Sequence, residues 1–478
     1  MRKLRLIPRH GILLGLTLVL AISWTKTVRA ADWFVAPIGA TITAVPVGSE
    51  NDPFATVAAA FASGKVKGGD RVLLKDGDHG AVLLRNLAFS TQVTIMSQNG
   101  RSAHLESVLI NDGVRNLRLF NLRVWPSDPT KAPGYLVQSA PATSDIVIEG
   151  LVLSSGKDAP KFMDWDAAKW NTRRFSGIRL DGPRSSALRN RIIALYSGIS
   201  LGGDDSKATG NVINGYNGDG LRGLGSNNVF TANRVFNCVD TDDNHDDGFQ
   251  SFAGASGVIR GLVLDRNVII EWTGAANHPL RCRLQGIGLF DGFYDDLTIT
   301  NNLIAASQYH GISVYGTRRA KIINNTVVHG DGITSVTPYI MVTNHKSGAP
   351  STDVLVANNI AMSIRGTASV ANRVEFRYNS VIGTPGAVFE NPFAFDYRPK
   401  STSGFIDTAD STVAPSRDLL NQPRPSGASP DRGAYETQVN TPSASTASLL
   451  NEATEVTDGS STGTSGTATT GAKWIKIP

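Results

Sequence analysis

The sequence predicts an all-β fold: a right-handed parallel β-helix, a solenoid of about ten coils with a short N-terminal capping helix. Three observations predict it. An Asn followed by apolar residues recurs at Asn190, Asn211, Asn233, Asn267, Asn302, Asn325, Asn359 and Asn379, in steps of 21, 22, 34, 35, 23, 34 and 20 residues. A second motif, Gly-apolar-x, keeps step ahead of it at Gly177, Gly198, Gly220, Gly248, Gly286 and Gly311. Aromatic residues are scarce at 7%, while Gly, Asn, Asp and β-branched residues abound, which suits short strands and turns. A unit of 20–23 residues cannot bury its apolar face alone, and stacking such units makes one continuous core. The apolar spacing is strand-like, and the Leu ladder of a leucine-rich repeat is missing.

Residues 1–30 read as a secretory signal. A basic start (Arg2, Lys3, Arg5, Arg9) precedes an apolar run of 14 residues from Gly11 to Trp24, and Val28-Arg29-Ala30 suits cleavage before Ala31. The run is short of the roughly 20 residues that cross a bilayer, so no stable membrane insertion is expected after cleavage. The segment holds six Lys/Arg and no acid, so the formal +5 of the chain less these six leaves about −1. That balance excludes nucleic acid as a partner. An exported chain permits a disulfide between Cys238 and Cys282, and equally permits two small buried hydrophobes.

Residues 31–115 are expected to form the N-terminal cap and first coils. Trp33-Phe34-Val35 reads as a strand, and a helix follows with Asp52 as N-cap, Pro53 at its first position and an Ala-rich body to Ala62. Arg71-Val72-Leu73-Leu74 reads as the next strand. The amphipathic helix would cover the apolar edge that the first layer of a stacked β structure exposes. Residues 116–385 form the repeat with its groove, and 386–437, rich in Pro and Ser, a C-terminal cap region. Residues 438–478, mostly Ser, Thr, Gly and Ala, read as a disordered tail.

The insertions that lengthen the repeat, at 236–247 and 271–285 together with the loop 155–175, fall between an Asn strand and the next Gly strand. In a stacked coil they emerge at one corner and wall a groove whose floor is the Gly strand. By period-2 alternation, positions two and four after each Gly face outward. These positions make Arg222, Gln250, Phe252, Phe290 and Tyr315 candidate substrate contacts, the three aromatics forming a column about 4.8 Å apart per coil. Phe162, Trp165, Trp170 and Trp272, with His278 and neighbouring cations, are either further contacts or loop packing.

The chemistry gathers between Asp219 and Asp247, where Asp240 to Asp247 packs five carboxylates and His245 into eight residues. Like charges this close raise one another's pKa unless a cation or a catalytic task holds them together. Such a cluster beside a groove suits an acidic polysaccharide. The C5 proton of a uronate is removable only when the adjacent carboxylate is neutralised, which a Ca²⁺ held by carboxylate oxygens supplies. Expulsion of the C4 oxygen then gives elimination, and reprotonation from the opposite face gives epimerisation. His310, in the column of Ser176, Ser197, Asp219, Asp247 and Gln285, faces the same corner and is a further catalytic candidate.

At these residues the chain resembles known families. Asn217-Gly218-Asp219-Gly220-Leu221 and Asp243-Asn244-His245-Asp246-Asp247-Gly248-Phe249 are similar to the calcium site of the family 9 polysaccharide lyases, pectate lyases on a parallel β-helix. The resemblance implies Asp219, Asp243 and Asp247 as metal ligands, with Asp242 or Asp246 helping. That family abstracts the proton with a lysine, yet no Lys occurs between Lys207 and Lys321, and the nearest cations are Arg281 and Arg283. Asp243-Asn244-His245-Asp246 is also similar to the Asp-Pro-His-Asp motif of alginate C5-epimerases, which implies His245 as base. Gly203-Asp204-Asp205 and Tyr309-His310-Gly311 echo the polygalacturonase hydrolases, but they lie some four coils apart.

The expectation is thus a secreted or periplasmic, monomeric lyase that cleaves an acidic polysaccharide by Ca²⁺-assisted β-elimination. A C5-epimerase, a glycoside hydrolase and a non-catalytic glycan-binding β-helix are the alternatives.

Overall fold

The computed structural model describes residues 30–254, 257–330 and 336–439. The expected signal segment and tail lie almost wholly outside the described residues.

The chain winds through three parallel sheets in turn. The floor sheet has 11 strands in sequence order, from Ala81–Leu84 through Asp219–Gly223, Asp247–Phe252, Gln285–Asp291 and His310–Tyr315 to Tyr339–Thr343 and Ser363–Arg365. Among the described residues the second and third sheets have 15 and 12 strands. One coil shows the path: Asp219–Gly223 in the floor, Val229–Thr231 in the second sheet, Arg234–Cys238 in the third. Each turn of chain sends one face inward, so Leu221, Phe230 and Val235 of this coil stack beneath Phe249, Leu264 and Ile269 of the next. The resulting solenoid is a parallel β-helix.

The recurrent Asn turns the corner between the second and third sheets. The residue before it is left-handed at Arg189, Gly210, Ala232, Arg266, Asn301, Asn324, Asn358 and Tyr378, with φ between 51° and 66°. That conformation costs a non-glycine residue about 1–2 kcal/mol. The buried side chains repay it along the stack. The backbone N and Nδ2 of Asn211 donate to Oδ1 of Asn233 at 3.0 and 2.9 Å, and the same pair of bonds recurs at each step from Asn190 to Asn379. Coils begin before this ladder does. At the same corner Leu122 and Leu151 follow the left-handed Asn121 and Gly150, so the earlier coils carry an apolar residue where the later ones carry Asn.

The Gly column has a packing cause. A Cβ on Gly220 would lie 2.3 Å from Cγ1 of Val235, and one on Gly248 would lie 2.4 Å from Cγ2 of Ile269. The third sheet presses directly on the floor backbone there.

The helix starts later than expected. It spans Val57–Ala62 with Thr56 as N-cap, whose Oγ1 accepts from the N–H of Ala59 at 3.0 Å. Asp52 is occupied elsewhere, accepting from Thr43 Oγ1 at 2.6 Å and Val47 N at 2.9 Å. Phe54 meanwhile pairs with Val35 as a β-bridge, which keeps it out of the helix.

The outer face of the third sheet is covered from Val152 onward. Around Ile193 and Ala194 the 155–175 loop folds back on Phe162, Trp165 and Trp170, and Trp272 and Val239 join them. These aromatics pack against the scaffold and not in the groove. Toward the C-terminus Phe389, Tyr397, Phe405, Leu419 and Tyr435 cover Phe236, Ile270, Leu303 and Val328. The 386–437 region is therefore a strap along one side. Its buried Arg424 pairs with Glu436 at 3.0 Å and donates to Oδ1 of Asn301 at 2.6 Å.

Candidate active site

Asp219 and Asp247 are register partners on adjoining floor strands, and Gln285 continues the row on the next. Each stands one residue before a column glycine, so its side chain leaves the opposite face of the sheet. All three are buried. Asp219 Oδ2 accepts from Arg222 Nε at 2.7 Å and also from its Nη2. Asp247 Oδ2 accepts from Nδ1 of His245 at 3.0 Å and Nε2 of Gln250 at 3.2 Å. The remaining oxygens, Asp219 Oδ1, Asp247 Oδ1 and Gln285 Oε1, are buried without a hydrogen-bond partner.

Burial pushes the Asp219 carboxyl up, although Arg222 pulls it back. Asp247 is pushed up to about 6, again chiefly by burial. His245 lies above its ordinary value because it bonds to Asp247, and its side chain remains 57% exposed. With Nδ1–H donating to Asp247, Nε2 is the nitrogen left to take a proton.

The insertions carry these groups to one corner, as the loop positions require. A disulfide joins Cys238, where the acid loop leaves the third sheet, to Cys282, where the second insertion returns, with Cα atoms 5.4 Å apart. The cysteines are thus paired, not two free hydrophobes. The acid loop itself splits. Asp246 turns inward beside the disulfide sulfurs and is pushed up to about 9 by burial and then by Asp240, Asp219, Asp242 and Asp247. Asp242 pairs with Arg174 and accepts from the backbone of Asn244 at 2.9 Å. Asp243 is exposed. Of the carboxylates expected together, the structure therefore brings together Asp219 and Asp247, with Asp246 behind them, and sends Asp242 and Asp243 outward.

The two arginines also separate. Arg281 donates Nε to Oε1 of Glu271 at 2.7 Å in a buried ion pair, and Glu271 further accepts from Leu284 N at 3.1 Å and Ser307 N at 2.6 Å. A guanidinium held this way anchors the insertion and cannot serve as a base. Arg283 is exposed on the same insertion. His278 belongs to the loop packing, where Nε2 donates to Met163 O at 2.9 Å and Nδ1 accepts from Leu280 N at 3.2 Å.

A cleft of about 270 Å³ opens beside His245, lined by Gln250, Phe252, Gln285, Phe290, Asp291, His310, Tyr315 and Lys346. The expected aromatic ladder is broken. A bulge at Ser251 and Phe252 sets Phe252 opposite Asp291, and Phe290 meets Tyr315 edge-to-face at 5.2 Å and 89°. Gly288 makes room for its neighbours, since a Cβ there would lie 2.4 Å from Phe290 and 2.7 Å from Asp247 Oδ1. His310 is buried, with Nδ1 2.7 Å from Ser313 Oγ and 3.0 Å from the Tyr339 hydroxyl. Burial, then the charges of His245 and Arg365, push it down to about 4, so it is neutral.

Lys346, which pairs with Asp291 at 2.6 Å, and Tyr339 were not legible as site residues. Lys346 reaches the cleft from a coil beyond the acid cluster, and Tyr339 stands behind it against His310. Gln285 did carry a signal, its place before Gly286. Asp204 and Asp205 are turn residues, accepting from Ser226 N at 2.7 Å and Asn227 Nδ2 at 2.9 Å.

A family model described as the right handed beta helix region matches residues 176–337. The chain is a right-handed parallel β-helix. A comparison with curated proteins finds no match. Among solved structures, similar ones include a pectate lyase, Pel9A, at 15% identity and a TM-score of 0.46, covering 85% of this chain and 96% of that one. Another is the PL6 family alginate lyase AlyGC, at 14% identity and 0.40, covering 73% and 51%. A third is the mannuronan C-5 epimerase AlgE4 A-module from Azotobacter vinelandii, at 14% and 0.41, covering 69% and 88%.

Proposed function

We propose that this chain is an exported lyase that cleaves a uronate-containing polysaccharide by β-elimination, with His245 as the base. The observation that carries the reading is the His245–Asp247 pair at 3.0 Å on the rim of the floor, beside a row of buried oxygens without partners.

Neutral Nε2 of His245 takes the C5 proton, and Asp247 fixes the ring and stabilises the imidazolium that forms. The C5–H electrons become the C4=C5 double bond as the C4–O4 bond breaks. Tyr315, whose hydroxyl burial keeps protonated, lines the same cleft and supplies the proton that O4 gains. Solvent then returns both groups to their starting states. Asp219 Oδ1, Asp247 Oδ1 and Gln285 Oε1 are hard donors that fit Ca²⁺, and a bound Ca²⁺ would neutralise the uronate carboxylate.

Export is proposed with the activity, because a disulfide between two loops persists in an oxidising compartment. Among the described residues no helix is long and apolar enough to cross a membrane. Incubation with a panel of uronate polymers tests the activity. A lyase releases products that absorb in the near ultraviolet; a hydrolase releases reducing ends without that absorbance. Epimerisation, the second reading, rests on Tyr315 standing in the cleft as a second proton carrier, and it changes composition with neither signal.

A further inference from the structure

We propose that Tyr309, Tyr339 and Arg365 form a further subsite for an acidic sugar at the C-terminal end of the floor, adjoining the cleft at His310 and carrying Arg365 several sugar units from the bond that is cleaved. The inference rests on the proposed lyase reading and adds where the polymer is gripped.

Register places Arg365 in the groove. Arg222, Gln250, Gly288, Ser313, Met341 and Arg365 are successive partners across the floor strands and so share its outward face. Four strand steps separate Gln250 from Arg365, which at about 4.8 Å each is roughly 19 Å. Between them the column runs through Gly288 and Ser313, buried beneath Phe290 and His310, and then Met341, so a chain would lie along the Phe290, His310 and Tyr315 side chains above.

The charges of this column differ in their state. Arg222 is committed to Asp219, and Arg179, farther toward the N-terminus, is committed to Asp181 at 2.7 Å. Arg365 is exposed, and no carboxylate pairs with it among the described residues. Its guanidinium instead lies 4.4 Å from the centroid of the Tyr339 ring. A guanidinium ordered by an aromatic face, with its donor fork unspent, is the group that takes a carboxylate in bidentate fashion. Tyr339 is in turn held by its bond to His310 at 3.0 Å.

An apolar face completes the site. Tyr309 is 42% exposed, and its ring sits 5.7 Å from that of Tyr339, tilted by 36°. A pyranose ring offers axial C–H groups to such a face while its carboxylate reaches a cation beside it. Tyr309 and Arg365 flank Tyr339 in that arrangement, which suits a uronate better than a neutral sugar.

The test is calorimetric titration of His245→Ala, which binds without turnover, with oligogalacturonates and oligoalginates of three to eight units. Arg365→Ala and Tyr309→Ala are added on the same background, with thermal melts to show that each is folded. The gain in affinity from trimer to octamer should shrink about tenfold in Arg365→Ala, and Arg365→Lys should restore it only in part. An octamer held as tightly by Arg365→Ala as by the parent overturns the subsite and leaves the lyase reading standing. Oligouronates neither bound by His245→Ala nor cleaved by the unaltered protein would remove the lyase reading, and the subsite with it.

Discussion

His245 Nδ1 lies 3.0 Å from Oδ2 of Asp247, so a half-exposed imidazole on a loop is tied to a carboxylate buried in the floor strand. The relationship gives the loop residue the fixed orientation of the sheet. On the proposed reading it lets a surface His act on a sugar lying across the floor, since Asp247 selects the tautomer that leaves Nε2 free.

The row Asp219, Asp247 and Gln285 predicts a requirement for calcium. Chelation should lower both activity and melting temperature, and Ca²⁺ should restore both. Asp219→Asn should raise the Ca²⁺ concentration needed for half-recovery. Activity and melting that a chelator leaves unchanged would mean that these oxygens hold only water.

Arg281 is expected to be structural. Replacing it by Met leaves Glu271 charged and buried, a loss that costs about 3–5 kcal/mol. Urea denaturation should show that loss, while kcat measured well below the transition stays within a few fold. A collapse of kcat in a fully folded Arg281→Met would restore it as a catalytic group.

His310 predicts a slope of stability with pH. Its folded pKa of about 4 lies below the ordinary 6.5, so the unfolded chain takes up a proton first as the solution is acidified. The stability it contributes is complete above pH 6.5 and is lost as pH falls toward 4. Tyr309, Tyr339, Ser313 and Phe290 touch it, Arg365 and a protonated His245 oppose its charging, and none of these offers it a carboxylate. The drop in melting temperature between pH 7 and pH 5 should be smaller in His310→Phe than in the unaltered protein. Equal drops would contradict the assignment.

The Asn ladder predicts a positional gradient. Asn267→Ala removes the acceptor of Asn233 N and Nδ2 and the donor to Phe230 O, at about 1–3 kcal/mol for each buried group left unpaired. Asn379 ends the ladder and is only half-buried. Chemical denaturation should therefore show Asn379→Ala to be milder than Asn267→Ala.

The scaffold was legible because its signals are side chains that bond to their own equivalents one coil away. Asn211 needs Asn233, and Gly220 needs the space that Val235 fills, so the period is written into the chain. Asp219 and Asp247 were legible for the same reason, as both stand one place before a column glycine. The acid loop was not, because its length allows many paths. Only the fold shows that Asp246 turns to the disulfide, that Asp242 is taken by Arg174, and that Asp243 faces solvent. The bulge at Phe252 and the buried Glu271 beneath Arg281 depend likewise on contacts between distant segments. Lys346 reaches the cleft, and Tyr339 its residue His310, from later coils, where no spacing marks them.

The most direct measurement compares the unaltered protein with His245→Ala on the uronate polymer that the panel selects, following the near-ultraviolet absorbance of unsaturated products. The account predicts steady formation by the former and a rate lower by about 10²–10⁴-fold in the latter, with calcium present and both proteins equally folded. Unsaturated product formed at the same rate without the imidazole would contradict it.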